Sequence, residues 1–372
     1  MSSRVCGVDA MGILDRIRDV EEEMARTQKN KATEHHLGML KAKLAKLRSQ
    51  LLEGPKSAGK GEGFDTKKRG EARVALVGFP SVGKSTLLNK ITASESATGA
   101  YEFTTLTAVA GVLEHNGAKI QILDLPGIIE GASEGKGRGR QVISAARTSD
   151  LILLMLDAGK GETHKRLLEA ELEAVGIKLN QKPPDITVTA NRGAGVRVNS
   201  TVPLTHVSEK LVREIMHLHK MHNFDILFRC DATVDEFVDV IEGNRQYLRC
   251  INVYNKIDQI TIEEVDHLAR QEHSVVLSCE WDLNYDRLID KIWDYLELVR
   301  VYTKARGRRP DFEDPLIMKK GCTVGEVCDN IHREMRQNFK YAYVWGTSAK
   351  HSPQRVGLSH LLEDEDVVQI LT

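Results

Sequence analysis

The sequence predicts an α/β protein whose largest domain is a mostly parallel sheet covered by helices. Three observations support this fold class. Short apolar runs alternate with helical segments through the middle of the chain. A glycine-rich loop joins one such run to a helix, and smaller patterns of different periodicity lie before, within and after this region. Because 372 residues exceed one ordinary core, two or three domains are expected.

Residues 11–53 contain no proline and are predicted to form two helices. Apolar residues recur at steps of three and four in one set at residues 13–24 and in a second at residues 37–51. The polar run at residues 27–33 supplies a turn between them. This pattern favours an antiparallel helical hairpin whose apolar stripes pack together, and the alternative is a nucleic-acid-binding helix pair.

A linker rich in Gly, Lys and Ser is predicted at residues 54–70. The main domain is then predicted at residues 71–303, with strands at 73–78, 119–124, 151–157, 250–255 and 274–278. The interval between the third and fourth strands is too long for one crossover. It holds alternating runs and a helical segment, so a small α+β insertion is predicted at residues 176–246.

The last part of the chain, residues 304–372, is predicted to be a separate small domain. Short strands flank a helix expected around residues 324–335, which fits a small mixed sheet crossed by one helix. The basic stretch at residues 304–309 marks the predicted boundary.

Composition restricts the function classes. The formal net charge of -1 argues against wholesale wrapping of nucleic acid, and an aromatic content of 5% predicts no platform for stacking bases. The six cysteines are scattered without a CxxC pair, so free thiols in a reducing compartment are expected. No apolar stretch approaches the length of a membrane span, which predicts a soluble cytoplasmic protein without a membrane partner.

A phosphate-binding loop is predicted between the first strand and the helix that follows it. The segment at residues 78–85 matches G-x-x-x-x-G-K-S. Backbone N–H groups of such a loop and the positive end of the helix face phosphate oxygens, Lys84 reaches the β- and γ-phosphates, and Ser85 binds Mg²⁺. Alone, the loop leaves ATP and GTP both open. The candidate residues are Gly78, Phe79, Pro80, Ser81, Val82, Gly83, Lys84, Ser85 and Thr86.

Two further segments are predicted to approach the phosphates. Asp124 ends a strand and begins Asp-Leu-Pro-Gly, so its carboxylate can hold Mg²⁺ directly or through water, and the Gly127 N–H can contact the γ-phosphate. Upstream lie Phe103, Thr104 and Thr105. A threonine hydroxyl there completes the Mg²⁺ shell only when γ-phosphate is present, which makes the segment a switch, and Thr105 is chosen over Thr104.

The motif Asn-Lys-Ile-Asp at residues 255–258 selects the base. Asp258 can accept hydrogen bonds from guanine N1–H and the N2 amine, which adenine lacks, so a buried carboxylate would be left unpaired by adenine. Asn255 can contact guanine N7, and Lys256 can pack over the site. At the end of the next strand, backbone N–H groups of Ser278 and Cys279 are expected to contact guanine O6.

With these motifs in this order, the chain resembles the developmentally regulated GTP-binding proteins, the DRG branch of the Obg-like TRAFAC GTPases, and in its terminal segments the second of the two eukaryotic subtypes. The likeness runs from residue 11 onward. It is carried by residues 25–33, 101–106, 124–141, 341–345 and 363–370.

The resemblance implies an N-terminal helix-turn-helix, a P-loop GTPase domain interrupted by an insertion resembling ribosomal protein S5 domain 2, and a C-terminal ubiquitin-like β-grasp (TGS) domain. It also implies Mg²⁺-dependent binding of GTP and GDP, association with translating ribosomes, and a regulatory partner of the DFRP type.

Hydrolysis is expected to be slow. Lys84, Thr105 and Gly127 are the residues expected to act in catalysis, but Ile128 stands where Ras-like enzymes have a glutamine that orients water. The resemblance makes K⁺ a second candidate cofactor, although Ser81 occupies the loop position where potassium-stimulated relatives carry asparagine.

The predicted function is a GTPase that regulates translation and cell growth. The alternative is a nucleotide-gated adaptor whose output is partner or RNA binding, with hydrolysis incidental. Basic clusters at residues 67–69 and 306–309 favour contact with RNA phosphates, and ordinary solvated linkers explain them equally well.

Overall fold

The computed structural model describes residues 5–28, 30, 33–53, 71–93, 109–125, 146, 148–174, 176–191, 193, 195–243 and 245–372. The chain divides into two compact units, one formed by residues 1–63, 129–147 and 169–248 and the other by residues 64–128, 148–168 and 249–372. The predicted linker, Phe103 to Thr105 and Gly127 lie outside the described residues.

The first unit begins with the predicted helical hairpin, which the structure confirms. Ile17 and Val20 on the first helix pack against Leu40 and Leu47 on the second, so the two apolar stripes cover each other. An ion pair of 2.8 Å between Arg48 and Glu21 crosses the helices outside this seam. The helices are α1 (Val5–Arg26) and α2 (Glu34–Glu53).

The second face of α2 packs into the insertion, although the sequence separates the two as different domains. Ala42 is fully buried in the insertion's core. At Gly38, an added Cβ would meet the Leu211 side chain at 3.0 Å, so the small residue allows close approach. Glycine and alanine add little to an apolar periodicity, which explains why the sequence shows only one stripe on α2.

The insertion itself is a three-stranded sheet of order β6-β8-β7 with two helices. β8 runs antiparallel to β6 and parallel to β7. Ser208 caps one helix, and Thr233 forms a capping box with Glu236 on the other. The elements are β5 (Ile177–Leu179), β6 (Ile186–Ala190), β7 (Val196–Ser200), α5 (Glu209–Leu218), β8 (Phe224–Phe228) and α6 (Val234–Glu242). β5 pairs with the first three residues of the next strand, β9 (Gln246–Asn255).

The second unit is built on a sheet of order β10-β9-β4-β1-β3-β2, in which only β2 runs antiparallel. All seven residues of β1 are buried, as expected for an apolar strand covered on both faces. The elements are β1 (Ala72–Gly78), α3 (Lys84–Ala93), β2 (Val109–His115), β3 (Ala118–Asp124), β4 (Leu151–Asp157), α4 (Gly161–Ala174), β9 (Gln246–Asn255), α7 (Ile262–Ala269), β10 (Ser274–Val276) and α8 (Tyr285–Leu296).

The strand β2 was not predicted, although a local signal for it exists. Asn116 and Gly117 both have positive φ, at 50° and 79°, in the two-residue turn that joins β2 to β3. An Asn-Gly pair between two apolar runs is the strongest short-range hairpin signal. The sequence pattern predicts a mostly parallel sheet, and an antiparallel strand at its edge such as β2 does not fit that pattern.

The C-terminal sheet has the order β12-β11-β15-β13-β14 and is covered on one face by a helix. β11 belongs to this sheet, so the C-terminal domain begins before residue 304, where the sequence predicts its boundary. The predicted boundary is too late because the basic stretch that suggested it follows the strand. The helix expected over residues 324–335 is two helices, broken where His332 is extended with φ -165°. The elements are β11 (Leu298–Thr303), β12 (Leu316–Lys319), α9 (Val324–Ile331), α10 (Arg333–Gln337), β13 (Tyr341–Trp345), β14 (Gln354–Val356) and β15 (Asp366–Leu371).

Two expectations drawn from composition can be compared with the fold. Among the described residues, Cys230, Cys250, Cys279, Cys322 and Cys328 form no disulfide bond. Within the described ranges, no helix combines the length and apolar character needed to cross a bilayer.

Candidate nucleotide site

The loop between β1 and α3 is shaped by two glycines with different constraints. At Gly78, a Cβ would lie 2.5 Å from the backbone oxygen of Met155 on the neighbouring strand. At Gly83, φ is 97° and a Cβ would lie 2.4 Å from Nδ2 of Asn255. Side chains are therefore excluded at both ends of the loop, and the loop can keep its tight path. Of the other loop positions, Pro80, Ser81 and Thr86 are exposed and Val82 is buried.

Lys84 opens α3 and its side chain lies back across the loop. Its Nζ donates hydrogen bonds of 2.9 Å to the backbone oxygens of Gly78 and Phe79. Burial lowers the pKa of Lys84, and the carboxylate of Asp124 opposes this shift. Two neutral carbonyl groups therefore hold the ammonium group over the loop. A bound anion can replace them as hydrogen-bond partners, because its negative charge attracts the ammonium group more strongly.

Ser85 and Asp124 form the second feature of the loop region. Ser85 Oγ donates a 3.0 Å hydrogen bond to Asp124 Oδ2. Burial raises the pKa of Asp124, while the Ser85 hydroxyl and the Lys84 charge lower it. The other oxygen, Oδ1, is buried and has no hydrogen-bond partner among the described residues.

This pair fits a magnesium ion. Hydroxyl and carboxylate oxygens are the hard ligands that Mg²⁺ prefers, and Mg²⁺ keeps several waters while using only one or two protein ligands plus phosphate oxygens. Among the described residues, no group of three or more His, Cys, Asp or Glu forms a self-sufficient metal cluster. The unpartnered Oδ1 of Asp124 is consistent with a small site of this kind.

Asn255 joins the loop to the segment predicted to bind the base. Its Nδ2 donates a 2.8 Å hydrogen bond to the Val82 backbone oxygen, and its Oδ1 accepts a 3.0 Å hydrogen bond from the Cys279 N–H. The side chain is 2% exposed. Sequence reasoning assigned it only to guanine N7, whereas the structure also gives it two fixed backbone partners; its second amide hydrogen remains for a ligand.

Asp258 and Ser278 form the candidate base-selecting pair. Ser278 is fully buried, and its Oγ donates a 2.6 Å hydrogen bond to Asp258 Oδ1. The Trp281 N–H donates to the same Oγ at 3.3 Å. These bonds fix the orientation of the carboxylate and use only part of its capacity as an acceptor.

Lys256 has a partner that the sequence analysis missed. Its Nζ lies 2.8 Å from Asp157 Oδ2, and Asp157 Oδ1 accepts from the Gly159 N–H at 3.1 Å. Burial raises the pKa of Asp157, but the Lys256 and Gly159 hydrogen bonds outweigh it, so this pKa lies below its ordinary value. Asp157 ends β4 directly beside Asn255 on β9. The sequence did carry a signal for Asp157, because it is a carboxylate at the end of an apolar run, and such strand ends line the ligand-binding edge of a parallel sheet.

These residues meet where parallel strands end. Ser85 and Asp124 lie beside the loop after β1, Asp258 and Ser278 follow β9 and β10, and Asn255 bonds to both regions. Ligands of open α/β sheets bind outside the carboxyl ends of the strands. Thr105 and Gly127 cannot be placed in this arrangement because they lie outside the described residues.

The sheet order and the loop G-x-x-x-x-G-K-S define a P-loop GTPase domain. Comparison with known proteins agrees. The family described as 50S ribosome-binding GTPase matches residues 73–192, the C-terminal region of the same domain matches residues 193–298, and the TGS domain matches residues 299–372.

Relatives identify the family. The chain is 61% identical over 362 residues to the developmentally-regulated GTP-binding protein 2 homolog of Dictyostelium discoideum, covering 97% of this chain and 100% of the relative. Identity to developmentally-regulated GTP-binding protein 2 of Homo sapiens is 61%, with the same coverage. The chain therefore belongs to the family of developmentally regulated GTP-binding proteins, as the sequence resemblance predicts.

A solved structure gives a weaker likeness. The YchF GTPase of Schizosaccharomyces pombe is 12% identical, with 82% of this chain and 99% of that chain covered and a TM-score of 0.46. The fold assignment rests on the sheet order and the family matches instead.

Proposed function

We propose that the protein binds GTP and GDP with Mg²⁺ and hydrolyses GTP slowly. One observation carries this proposal: the buried Asn255 side chain ties the phosphate loop at Val82 to the base-side segment at Cys279. A ligand that spans both regions needs its phosphate and base sites at a fixed separation. The two hydrogen bonds of Asn255 supply this constraint before the ligand binds.

At the base side, the Asp258 carboxylate provides specificity for guanine. Ser278 holds one oxygen of Asp258 and leaves acceptor capacity for the guanine N1–H and N2 amine. Adenine offers neither donor, so its binding would leave a desolvated carboxylate without its partners, which costs about 1–3 kcal/mol or more. We assign Asn255 to N7, Lys256 to the packing over the site, and the N–H groups of Ser278 and Cys279 to O6.

At the phosphate side, the backbone N–H groups of the loop 78–86 bind phosphate oxygens. The ammonium of Lys84 exchanges its carbonyl partners for the more strongly accepting β- and γ-phosphates. Ser85 and Asp124 would hold Mg²⁺, which when bound neutralises charge on the phosphate oxygens. Thr105, flanked by Phe103 and Thr104, remains the proposed switch residue.

Hydrolysis should be slow because the chain lacks the side chain that orients water in Ras-like enzymes. Ile128 follows Gly127, and a hydrocarbon cannot hydrogen-bond a nucleophilic water. The chain's own contribution is therefore to bind and orient the γ-phosphate through Lys84, Thr105 and Gly127. Water positioning comes from backbone groups, a monovalent cation such as K⁺, or a partner.

The cellular role we propose is regulation of translation on cytoplasmic ribosomes together with a DFRP-type partner. Support comes from the match of residues 73–192 to a family described as a 50S ribosome-binding GTPase, and from the resemblance of nearly the whole chain to the DRG proteins. We further propose the domain limits 11–53 for the hairpin and 176–246 for the insertion, and we move the predicted boundary between the main and C-terminal domains from 304 to 298, because β11 pairs within the C-terminal sheet. Co-sedimentation with ribosomes in a GTP analogue but not in GDP tests the ribosomal role; sedimentation independent of nucleotide contradicts it.

The alternative function is a nucleotide-gated adaptor for which hydrolysis is incidental. The hydrocarbon at Ile128 favours it. A variant that retains GTP binding and cannot hydrolyse GTP separates the two functions in cells. Rescue of growth by that variant supports the adaptor, and failure to rescue supports the GTPase.

Calorimetric titration with GTP and Mg²⁺ tests the proposed activity directly. Lys84→Ala should abolish measurable GTP binding, because the ammonium is the loop's cation for the β- and γ-phosphates. The exposed Lys182 serves as a matched control, and Lys182→Ala should bind as the unaltered protein does. Equal GTP affinity in both variants would contradict the proposal.

A further inference from the structure

The loop that follows β10, at residues 278–283, is closed by backbone hydrogen bonds. The Leu283 N–H donates to the Ser278 oxygen at 3.1 Å, and the Ser278 N–H donates to the Leu283 oxygen at 3.4 Å. Just beyond, Asn284 Nδ2 donates to the Val276 oxygen at 2.6 Å. We call residues 278–283 the base loop, because they lie on the base side of the nucleotide site. Its two ends are held together by the protein's own groups.

Lys90 on α3 binds the base loop from outside. Its Nζ lies 2.5 Å from the backbone oxygen of Cys279 and also donates to the Asp282 carboxylate. The Asp282 side chain is 66% exposed, whereas Cys279 is 7% exposed. The bond to the buried carbonyl is therefore the stronger of the two contacts, because water screens an exposed ion pair.

The position of Lys90 on the helix separates it from the phosphates. Lys84 and Ser85 open α3, and Lys90 follows Lys84 by six residues. Six residues of α-helix advance about 9 Å along the axis. Lys90 therefore contacts the base side of the site from the same helix that presents Lys84 to the phosphate side.

Asn255 and Lys90 hold the two backbone groups of Cys279. The Cys279 N–H donates to Asn255 Oδ1 at 3.0 Å, and the Cys279 oxygen accepts from Lys90 at 2.5 Å. One contact comes from the end of β9 and the other from α3. The backbone cannot rotate at Cys279 without breaking at least one of these bonds.

The bond from Lys90 also fixes the direction of the next N–H group, that of Glu280. A peptide unit is planar and trans, so the Cys279 carbonyl and the Glu280 N–H point in opposite directions within one plane. Among the described residues, the Glu280 N–H has no hydrogen-bond partner, whereas the N–H groups of the two preceding residues donate to protein oxygens. An ammonium group at the carbonyl end polarises the peptide and makes this N–H a better donor.

We propose that Lys90 is a positioning residue for guanine recognition, which holds the peptide between Cys279 and Glu280 so that the Glu280 N–H donates to O6 of the base. This inference rests on the proposed binding of guanine nucleotides. A carbonyl oxygen has two lone pairs, and the Glu280 N–H can serve one of them without leaving a protein partner. Adenine carries an amine in place of O6, so its N–H groups would face this donor, and the contact contributes to base specificity.

Competition binding of three nucleoside diphosphates to the full chain with Mg²⁺ tests the role of Lys90. Lys90→Met keeps the length of the side chain and removes the ammonium group. The Kd for GDP should rise about two- to tenfold, the range of one neutral hydrogen bond. Inosine diphosphate keeps O6 and lacks the N2 amine, so its Kd should rise by the same factor. 6-Thioguanosine diphosphate carries sulfur in place of O6, and its Kd should rise least, because sulfur is a weak acceptor.

The deciding quantity is the Kd for 6-thioguanosine diphosphate divided by the Kd for GDP. This ratio should fall in Lys90→Met by about the factor by which the Kd for GDP rises. Lys90→Ala should lower the ratio equally, so the result does not depend on one replacement side chain. The matched control is Lys210→Met, at an exposed lysine on α5, and it should leave the ratio unchanged. Unchanged urea unfolding without nucleotide shows that the fold is intact.

A merely structural role of Lys90 gives a different result. All three Kd values would then rise by one factor and the ratio would stay constant, which would overturn the proposal. Unaltered Kd values for all three nucleotides would overturn it as well. These outcomes leave the proposed function standing as long as the unaltered chain prefers GDP to ADP. Absence of that preference in the unaltered chain would contradict the proposed function itself.

Discussion

Replacing Asn255 with alanine removes the link between the two halves of the nucleotide site. The Val82 carbonyl loses a 2.8 Å bond and the Cys279 N–H loses a 3.0 Å bond. Val82 is 3% exposed and Cys279 is 7% exposed, so water reaches these groups poorly. Each unsatisfied buried group costs about 1–3 kcal/mol, and the two together should lower the free energy of unfolding by about 2–6 kcal/mol.

Urea unfolding without nucleotide measures this loss directly, because bound ligand would add its own stabilisation. Asn338→Ala is the matched control, since Asn338 is exposed and its change should stay within about 0.5 kcal/mol. A second measurement is GDP affinity, which should fall because the loop and the base-side segment lose their fixed separation. A stability loss below about 1 kcal/mol with unchanged GDP affinity would refute the role of Asn255 as a tie.

Two other changes have defined outcomes. Gly78→Ala places a Cβ 2.5 Å from the Met155 oxygen, so the melting temperature and the GTP affinity should both fall. The control is Gly357→Ala, where a Cβ meets nothing within 4 Å and neither quantity should change. Equal effects of the two substitutions would contradict the close approach at Gly78 as the cause. Asp157→Asn keeps an acceptor for the Gly159 N–H and removes the charge partner of Lys256, so the free energy of unfolding at pH 7 should fall by about 1 kcal/mol. Because the folded-state pKa of Asp157 is depressed, this contribution is present above the unfolded pKa of about 3.9 and is lost as pH falls through the folded value. Unfolding curves of the two proteins should converge in acid, and a constant difference down to about pH 2 would exclude the ion pair as its source.

The candidate site was largely predictable because its residues belong to motifs with fixed spacing on strand ends. Lys84, Asp124 and Asp258 each follow a buried apolar strand, and parallel strands bring their carboxyl ends to one edge. The partners that fix these side chains were not predictable. Ser278 binding to Asp258, and Asp157 binding to Lys256, depend on which strands are neighbours, and spacing along the chain does not specify that order.

Parts of the fold show the same limit. The periodicity of α2 predicts that one stripe is buried, but it cannot predict that Gly38 and Ala42 on the helix also enter the insertion's core. Composition averages over the chain, so it cannot predict that the alternation of β13 places Tyr341, Tyr343 and Trp345 on a single face.

The central claim is that Asp258 selects guanine, and competition among nucleotides tests it most directly. Two hydrogen bonds to a carboxylate, at about 1.5–3 kcal/mol each, should favour GDP over ADP by about 10²- to 10⁴-fold. Asp258→Asn replaces an acceptor with a donor, so it should lose GDP affinity by a similar factor and should prefer xanthosine diphosphate, whose base carries an oxygen in place of the N2 amine. Asp266→Asn, at an exposed aspartate, is the matched control and should keep the original order. An Asp258→Asn variant that still binds GDP as tightly as the unaltered chain, with no gain for xanthosine diphosphate, would contradict the account.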